Sequence, residues 1–217
     1  MTLVVGVDAC RGGWIAIVLN DGRFADSVFS PTFAGLVERF ADAAAIGVDI
    51  PIGVPTDGTR AADAEARAFV GPRRSSVFAT PPRVALAAAT YAEARAVAPS
   101  LSAQSFALRK KILEVEATLA NERVFEVHPE VSFAALNGGG HLQHSKRTWN
   151  GQMERRRLLA RKGVVLPDKI EAERAAVDDV LDAAVAAWSA VRKAHGKAKS
   201  LPADPPMEDG RIIAIWY

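Results

Sequence analysis

Apolar residues run unbroken from Leu3 to Val7 and stop at Asp8, the pattern of a strand buried on both faces. A tight turn over Ala9 to Gly13 separates this run from a second one, Trp14 to Leu19. Asn20-Asp21-Gly22 signals a hairpin, because these residues accept the left-handed backbone of a tight turn, and a third strand follows over Arg23–Phe29. Ser30-Pro31 predicts a helix start, after which Phe33, Leu36, Val37 and Phe40 share one helical face. Ala45 to Ile50 is a fourth strand, holding Asp49 and stopped by Pro51. The period then lengthens. Residues 51–124 read as mostly helical: an Ala-rich stretch over Ala61–Phe69, a helix from Thr80-Pro81-Pro82 to about Ala98, and a long helix over Ala103–Asn121, with the loop Gly71–Ser76 among them. Arg123–His128 predicts the fifth strand. A short helix follows Pro129 and ends at Asn137-Gly138-Gly139-Gly140, another covers about 145–162, and Ala175–His195 is the last long one. A Gly/Pro/Lys-rich loop to Gly210 and an apolar tail, Arg211–Tyr217, complete the chain.

The order β-β-β-α-β makes the first three strands an antiparallel meander. The helix is then a crossover that returns the fourth strand parallel to the first, as its neighbour. Open α/β sheets bind ligands beyond the carboxyl ends of such strands. Asp8 and Asp49 both stand there, so the topology brings two remote carboxylates together.

The last helix adds Asp178, Asp179 and Asp182. Acidic residues at a helix start favour the helix dipole, and that alone accounts for Asp178 and Asp179. Asp182 lies farther in, beside Val180, Leu181, Val185 and Trp188, where a carboxylate needs a partner. Residues three or four apart share a helix face, so Asp182 can address one site with either of the other two. Carboxylates gathered this densely cannot all stay ionised without a counter-charge. Magnesium or manganese, hard cations with oxygen ligands, supply one. A pair of such ions can activate water and stabilise the leaving oxygen in phosphodiester cleavage.

Composition narrows the class. The 217 residues are enough for one full core, and 49% hydrophobic with 24% charged residues excludes a mainly disordered chain. The lone Cys10 excludes an intrachain disulfide framework and a cysteine-based zinc cluster, and it reads as a small buried filler. No apolar run spans a bilayer and no basic n-region precedes Leu3, so a cytoplasmic protein without a membrane partner is expected. The net charge of +2 is unevenly spread. Residues 145–162 carry Lys146, Arg147, Arg155, Arg156, Arg157, Arg161 and Lys162 against Glu154. Such a block is a polyanion contact or a solvated helix face. His141 and His144 follow three glycines and read as loop; His128 reads as a structural histidine or one that orients a carboxylate; His195 complements a helix end.

Val5-Gly6-Val7-Asp8-Ala9-Cys10-Arg11-Gly12-Gly13-Trp14 resembles the opening of the ribonuclease H-like superfamily, and Asp179-Val180-Leu181-Asp182-Ala183 resembles the Asp-x-x-Asp-Ala helix of Holliday-junction resolvases. More closely, the segments Gly47–Gly53, Gly71–Phe78 and Phe125–Phe133, in this order, resemble the domain-of-unknown-function family 429, described as nucleases of ribonuclease H fold. The resemblance covers nearly the whole chain. It implies one ribonuclease H-like domain over residues 1–217: a mixed five-stranded sheet in the order 3-2-1-4-5, helices on both faces, and a helical insertion at about 51–124. It implies catalytic carboxylates at Asp8, Asp49, Asp179 and Asp182, with Glu126 as a further acid on the fifth strand. Asp8, Asp49 and Asp182 are then the ligands of magnesium or manganese. Resolvases commonly carry Glu where this chain has the shorter Asp49.

Arg73 and Arg74, set among Gly71-Pro72 and Ser75-Ser76, suit phosphate contacts, and Lys111 and Lys146 join them as candidates for binding nucleic acid, DNA or RNA. A metal-dependent nuclease is therefore expected. Two other classes compete. An actin-like phosphotransferase shares the first hairpin and the acidic strands but normally has a second copy of the unit, and none is seen. A non-catalytic protein binding nucleic acid or a small phosphate keeps the same fold. The insertion either caps the site or makes a homodimer interface.

Overall fold

In the computed structural model, which describes residues 1–119, 121–172, 174–208 and 210–217, the turn residues set the meander. Asp21 and Gly22 take φ of 48° and 77°, the positive pair a two-residue type I′ hairpin requires, and join β2 (Gly13–Asn20) to β3 (Arg23–Ser30). The Arg11-Gly12 turn joins β1 (Leu3–Cys10) to β2. Helix α1 (Phe33–Arg39) crosses over to β4 (Ala45–Val48), and β5 (Val124–Glu126) pairs beyond it. The five-stranded sheet has the expected order, β3-β2-β1-β4-β5, with β1 antiparallel to β2 and parallel to β4, and β4 parallel to β5.

Two boundaries differ from expectation for local reasons. β1 continues to Cys10, so Asp8 sits inside the hairpin ladder opposite Ile15. The parallel ladder with β4 nevertheless ends at Val7–Val48, and Asp8 and Asp49 are the residues next beyond it. Ser30 does not cap α1, because it is still paired with Trp14 in the sheet; Thr32 caps, its hydroxyl accepting the Gly35 N–H at 3.2 Å.

Between β4 and β5 lie α2 (Ala61–Val70), a 3-10 segment over Gly71–Ser76, α3 (Arg83–Leu86), α4 (Tyr91–Val97), α5 (Ala103–Ala107) and α6 (Arg109–Glu116). Two helices expected to be continuous are therefore divided. Thr90 and Glu93 start α4 with a reciprocal cap, and the chain breaks again at Leu108. The expected helix over 103–121 also crosses Ala120, which lies outside the described residues. α7 (Pro129–Leu136), α8 (Trp149–Arg161) and α9 (Val177–Ala194) follow. α8 begins at Trp149, later than expected, because the Thr148 hydroxyl accepts the Gly151 N–H at 3.2 Å and fixes the start. The terminal loop and tail hold short strands: β6 (Ser200–Leu201) pairs with β9 (Ile215–Trp216), and β7 (Met207–Glu208) with β8 (Arg211–Ile212).

The sheet is buried on both faces, and β2 shows how. Ile15, Ile17 and Leu19 join the core under α9, while Trp14, Ala16 and Val18 join the core that holds Phe33, Leu36 and Ile112. The α9 side is unusually close. Gly6 and Gly47 are cross-strand partners on β1 and β4. A Cβ on Gly6 would land on the backbone of Ala183 and Ala187, and one on Gly47 would lie 3.0 Å from the Ala186 carbonyl. Helix α9 thus rests on bare strand backbone, with Asp182 one residue before the contact. Among the described residues, no helix is long and apolar enough to cross a membrane.

Candidate metal centre

Asp8 and Asp49 leave adjacent parallel strands just past the end of their ladder, and α9 lays Asp182 against them. One oxygen from each of the three carboxylates lies within 4.8 Å of the other two. Asp8 and Asp182 are buried and Asp49 is half-buried. Asp8 Oδ1 accepts its neighbour's N–H, that of Ala9, at 2.7 Å. Asp182 Oδ2 accepts a hydrogen bond from the Lys146 ammonium, while Asp182 Oδ1 is buried without a partner. A cavity of about 330 Å³ opens over the group, with Phe78, His128, Lys146 and Arg147 in its wall.

The electrostatics follow from this crowding. Burial pushes the Asp8 carboxyl well above its ordinary 3.8, and the charges of Asp49 and Asp182 push the same way. Burial raises Asp49 and Asp182 to about 7 each, with Lys146 opposing the rise in both. Burial lowers Lys146, but Asp182, Asp49 and Asp8 outweigh it and hold the ammonium charged. One ammonium cannot neutralise three carboxylates. An all-oxygen donor set with an unpartnered buried oxygen is what a hard divalent ion accepts, so these residues fit one.

Of the other expected residues, Asp179, Glu126 and Lys146 line the same cavity, each engaged by a specific bond, while Arg73, Arg74 and Lys111 lie outside its lining. Asp179 lines the cavity but turns Oδ2 back to the Ala176 N–H at 2.9 Å. Asp179 thus caps the helix start. Glu126 stands at the margin of the site, as the strand order predicts, and is near enough to raise Asp49. Its two oxygens are engaged by the Arg60 guanidinium at 2.7 and 2.8 Å, and Oε2 also accepts the Ile52 N–H at 2.7 Å. Lys146, expected to bind polyanion, pairs with Asp182 in the wall of the cavity. Lys111 donates to the Gly13 carbonyl at 3.0 Å and lies 4.0 Å above the Trp14 ring, so it clamps the first hairpin. Arg73 donates twice to the Leu142 carbonyl, at 3.2 and 3.1 Å. Arg74 is exposed on a separate cavity of about 420 Å³, which shares Val77 and Phe78 with the carboxylate cavity. Cys10 is partly buried, and burial with the nearby Asp179 and Asp8 charges pushes its thiol up to about 11, which leaves it unreactive. Burial keeps His128 neutral; its Nε2 lies 3.4 Å from the Ser76 carbonyl, and its Nδ1 is buried without a partner.

Three supporting groups were not singled out from the sequence. Arg60 also holds Asp63 at 2.5 Å and donates to the Ile52 carbonyl at 2.8 Å, and Asp63 accepts the Thr80 N–H at 2.8 Å. Glu130, whose charge raises both Asp49 and Asp182, pairs with a wholly buried Arg155. Glu130 lies inside the Phe125–Phe133 motif, so a signal for it existed. None existed for the pairing of Arg60 with Glu126 or of Arg155 with Glu130, which are 66 and 25 residues apart.

A mixed α/β sheet with carboxylates from two parallel strands and one overlying helix converging at its edge defines the class: an α/β protein with a buried acidic centre. The chain belongs to the family described as Protein of unknown function (DUF429), whose family model matches residues 6–207. That span holds Asp8, Asp49 and Asp182 together. No curated protein and no solved structure matches the chain.

Proposed function

We propose that the protein is a divalent-metal-dependent nuclease of the ribonuclease H-like class, hydrolysing phosphodiester bonds of nucleic acid. The observation that carries this reading is the convergence of Asp8, Asp49 and Asp182, one oxygen of each within 4.8 Å of the others, with Asp182 Oδ1 buried and unpartnered. The strand order 3-2-1-4-5, with acids past the ends of adjacent parallel strands, supports it. Asp8, Asp49 and Asp182 hold magnesium or manganese. The bound ion supplies neutralisation of the phosphate charge and a water acidified toward neutral pH. Lys146 balances Asp182 in the metal-free chain, and its partly exposed ammonium faces the cavity that receives the phosphate. Glu126, fixed by Arg60, positions the Ile52 backbone beside Asp49.

A panel of labelled single-stranded, duplex and hybrid DNA and RNA, incubated with magnesium or manganese, tests the reading. The wild-type chain should cleave at least one member. Asp8→Asn and Asp182→Asn should slow cleavage by about 100-fold or more, and both should lose manganese binding in calorimetry. A folded wild-type chain that cleaves no member of the panel with either metal would sink the reading.

A further inference from the structure

The basic segment 145–162 divides by what its side chains touch. Lys146 is held by Asp182, Arg155 by Glu130, and Arg156 by the Leu166 carbonyl at 3.1 Å and Asp168 at 3.4 Å. Arg157 and Arg161 are exposed and, among the described residues, make no hydrogen bond or ion pair. They line one cavity with Trp149, the first residue of α8, which is 73% exposed. Trp149, Met153, Arg157 and Arg161 recur every four residues, each about 6 Å farther along the helix and about 40° around it. With His141 and His144 they line a cavity of about 450 Å³. Glu154, the acid in that wall, has its oxygens engaged by the Gln143 and His144 N–H groups at 3.2 Å each.

An indole left in water on the same cavity as two unpaired guanidinium groups, whose residues stand about 12 and 18 Å along the helix, is an arrangement that nucleotides satisfy. The ring stacks a base, and the cations meet the flanking phosphates. We infer that the Trp149–Arg157–Arg161 groove binds a segment of single-stranded nucleic acid, with a base on Trp149 and phosphates on Arg157 and Arg161. The inference rests on the nuclease reading, because it takes the same polymer as the substrate and gives it a path. The groove starts a short stretch of chain from the carboxylates. Lys146 touches Asp182, Arg147 lines the carboxylate cavity, and Trp149 follows Lys146 by three residues, at most about 11 Å of chain. An acidic peptide would meet the same two cations but has no planar base to cover the indole.

The test uses the full chain carrying Asp8→Asn, which blocks turnover, and fluorescein-labelled oligothymidylate and oligouridylate. Anisotropy gives affinity, and tryptophan emission reports stacking. Binding should quench the emission, and Trp149→Phe should remove that quenching while keeping most of the affinity. Trp149→Ala should weaken binding by about 5- to 150-fold. Arg157→Gln with Arg161→Gln should weaken it too and reduce the slope of log affinity against log salt by about 1.4, two single-strand phosphates' worth. All these positions are exposed, so unchanged melting curves will show that folding is intact. If these variants bind the oligonucleotides as their parent does, while the wild-type chain cleaves nucleic acid, the groove inference fails and the nuclease reading stands. If the wild-type chain neither cleaves nor binds any oligonucleotide, both fall. Equal loss of binding to a polyglutamate peptide and to the oligonucleotides in all variants, Trp149→Phe included, would make the groove a mere acid-binding face and overturn the inference.

Discussion

Asp182 meets Lys146 with one oxygen and nothing with the other, while Asp8 and Asp49 crowd the same space. The metal-free chain relieves that crowding by holding protons. Asp49 and Asp182 titrate near 7 instead of 3.8, so between those values the folded chain binds more protons than the unfolded one. Stability should therefore fall as pH rises from about 4 to about 7. Ion binding needs the ionised form and runs the other way. Manganese affinity should rise with pH through about 7, by up to about tenfold per pH unit for each proton displaced. Calorimetry across that range checks both slopes, and a pH-independent affinity would contradict the assignment. Lys146→Met keeps the stem and removes the charge. Without metal it should lose about 1–3 kcal/mol above pH 7, less than a fully buried pair because the lysine keeps a third of its surface in water. The same variant should bind manganese more tightly than wild type, since the ion no longer displaces an ammonium. Melting curves with and without manganese measure both effects.

Helix α9 brings the third carboxylate, and it does so through its contact with Gly6 and Gly47. Gly6→Ala places a methyl where the Ala183 and Ala187 backbone stands, which neither strand nor helix can yield without sliding apart. The substitution should cost about 3 kcal/mol or more and abolish manganese binding even where the chain stays folded. A thermal melt paired with calorimetry separates the two losses. The meander, the crossover and α9 were legible because each is announced locally: an unbroken apolar run, Asn20-Asp21-Gly22, Asp49 before Pro51. Asp8, Asp49 and Asp182 were legible through them, since strand ends and a helix face follow from element order. Element boundaries were less so, because caps compete. Ser30 is a good cap by composition but is consumed by the sheet, and Thr32 takes the role. Asp178 and Asp179 look alike in the sequence; which of them reaches back to Ala176 depends on the angle at which the chain enters the helix.

Across the whole molecule, a buried guanidinium joins the start of the insertion between β4 and β5 to the sheet, beside the core that Leu86, Ile112 and Val115 share with the strands. Arg60 joins Glu126 of β5, Asp63 of α2 and the Ile52 carbonyl. Arg60 and Asp63 stand three apart, an ordinary spacing for a helix pair, but the knot they form with Glu126, 66 residues from Arg60, was illegible in the sequence. Arg60→Met should cost about 3–5 kcal/mol by leaving Glu126 buried and unpaired, and a second change, Glu126→Gln, should recover part of it. Denaturant melts of the single and double variants measure the coupling, and simple additivity would show that the knot carries no strength of its own. The contact of helix on bare strand backbone also bears on how such a chain can vary through descent. Where backbone rests on backbone, the separation of the carboxylates is ruled by the radii of amide atoms, which no substitution alters. The aliphatic layers elsewhere can exchange Leu for Met or Ile for Leu and shift to suit. A lineage of such proteins can therefore rewrite most of its interior while the triangle of acids keeps its dimensions, provided the two glycines stay.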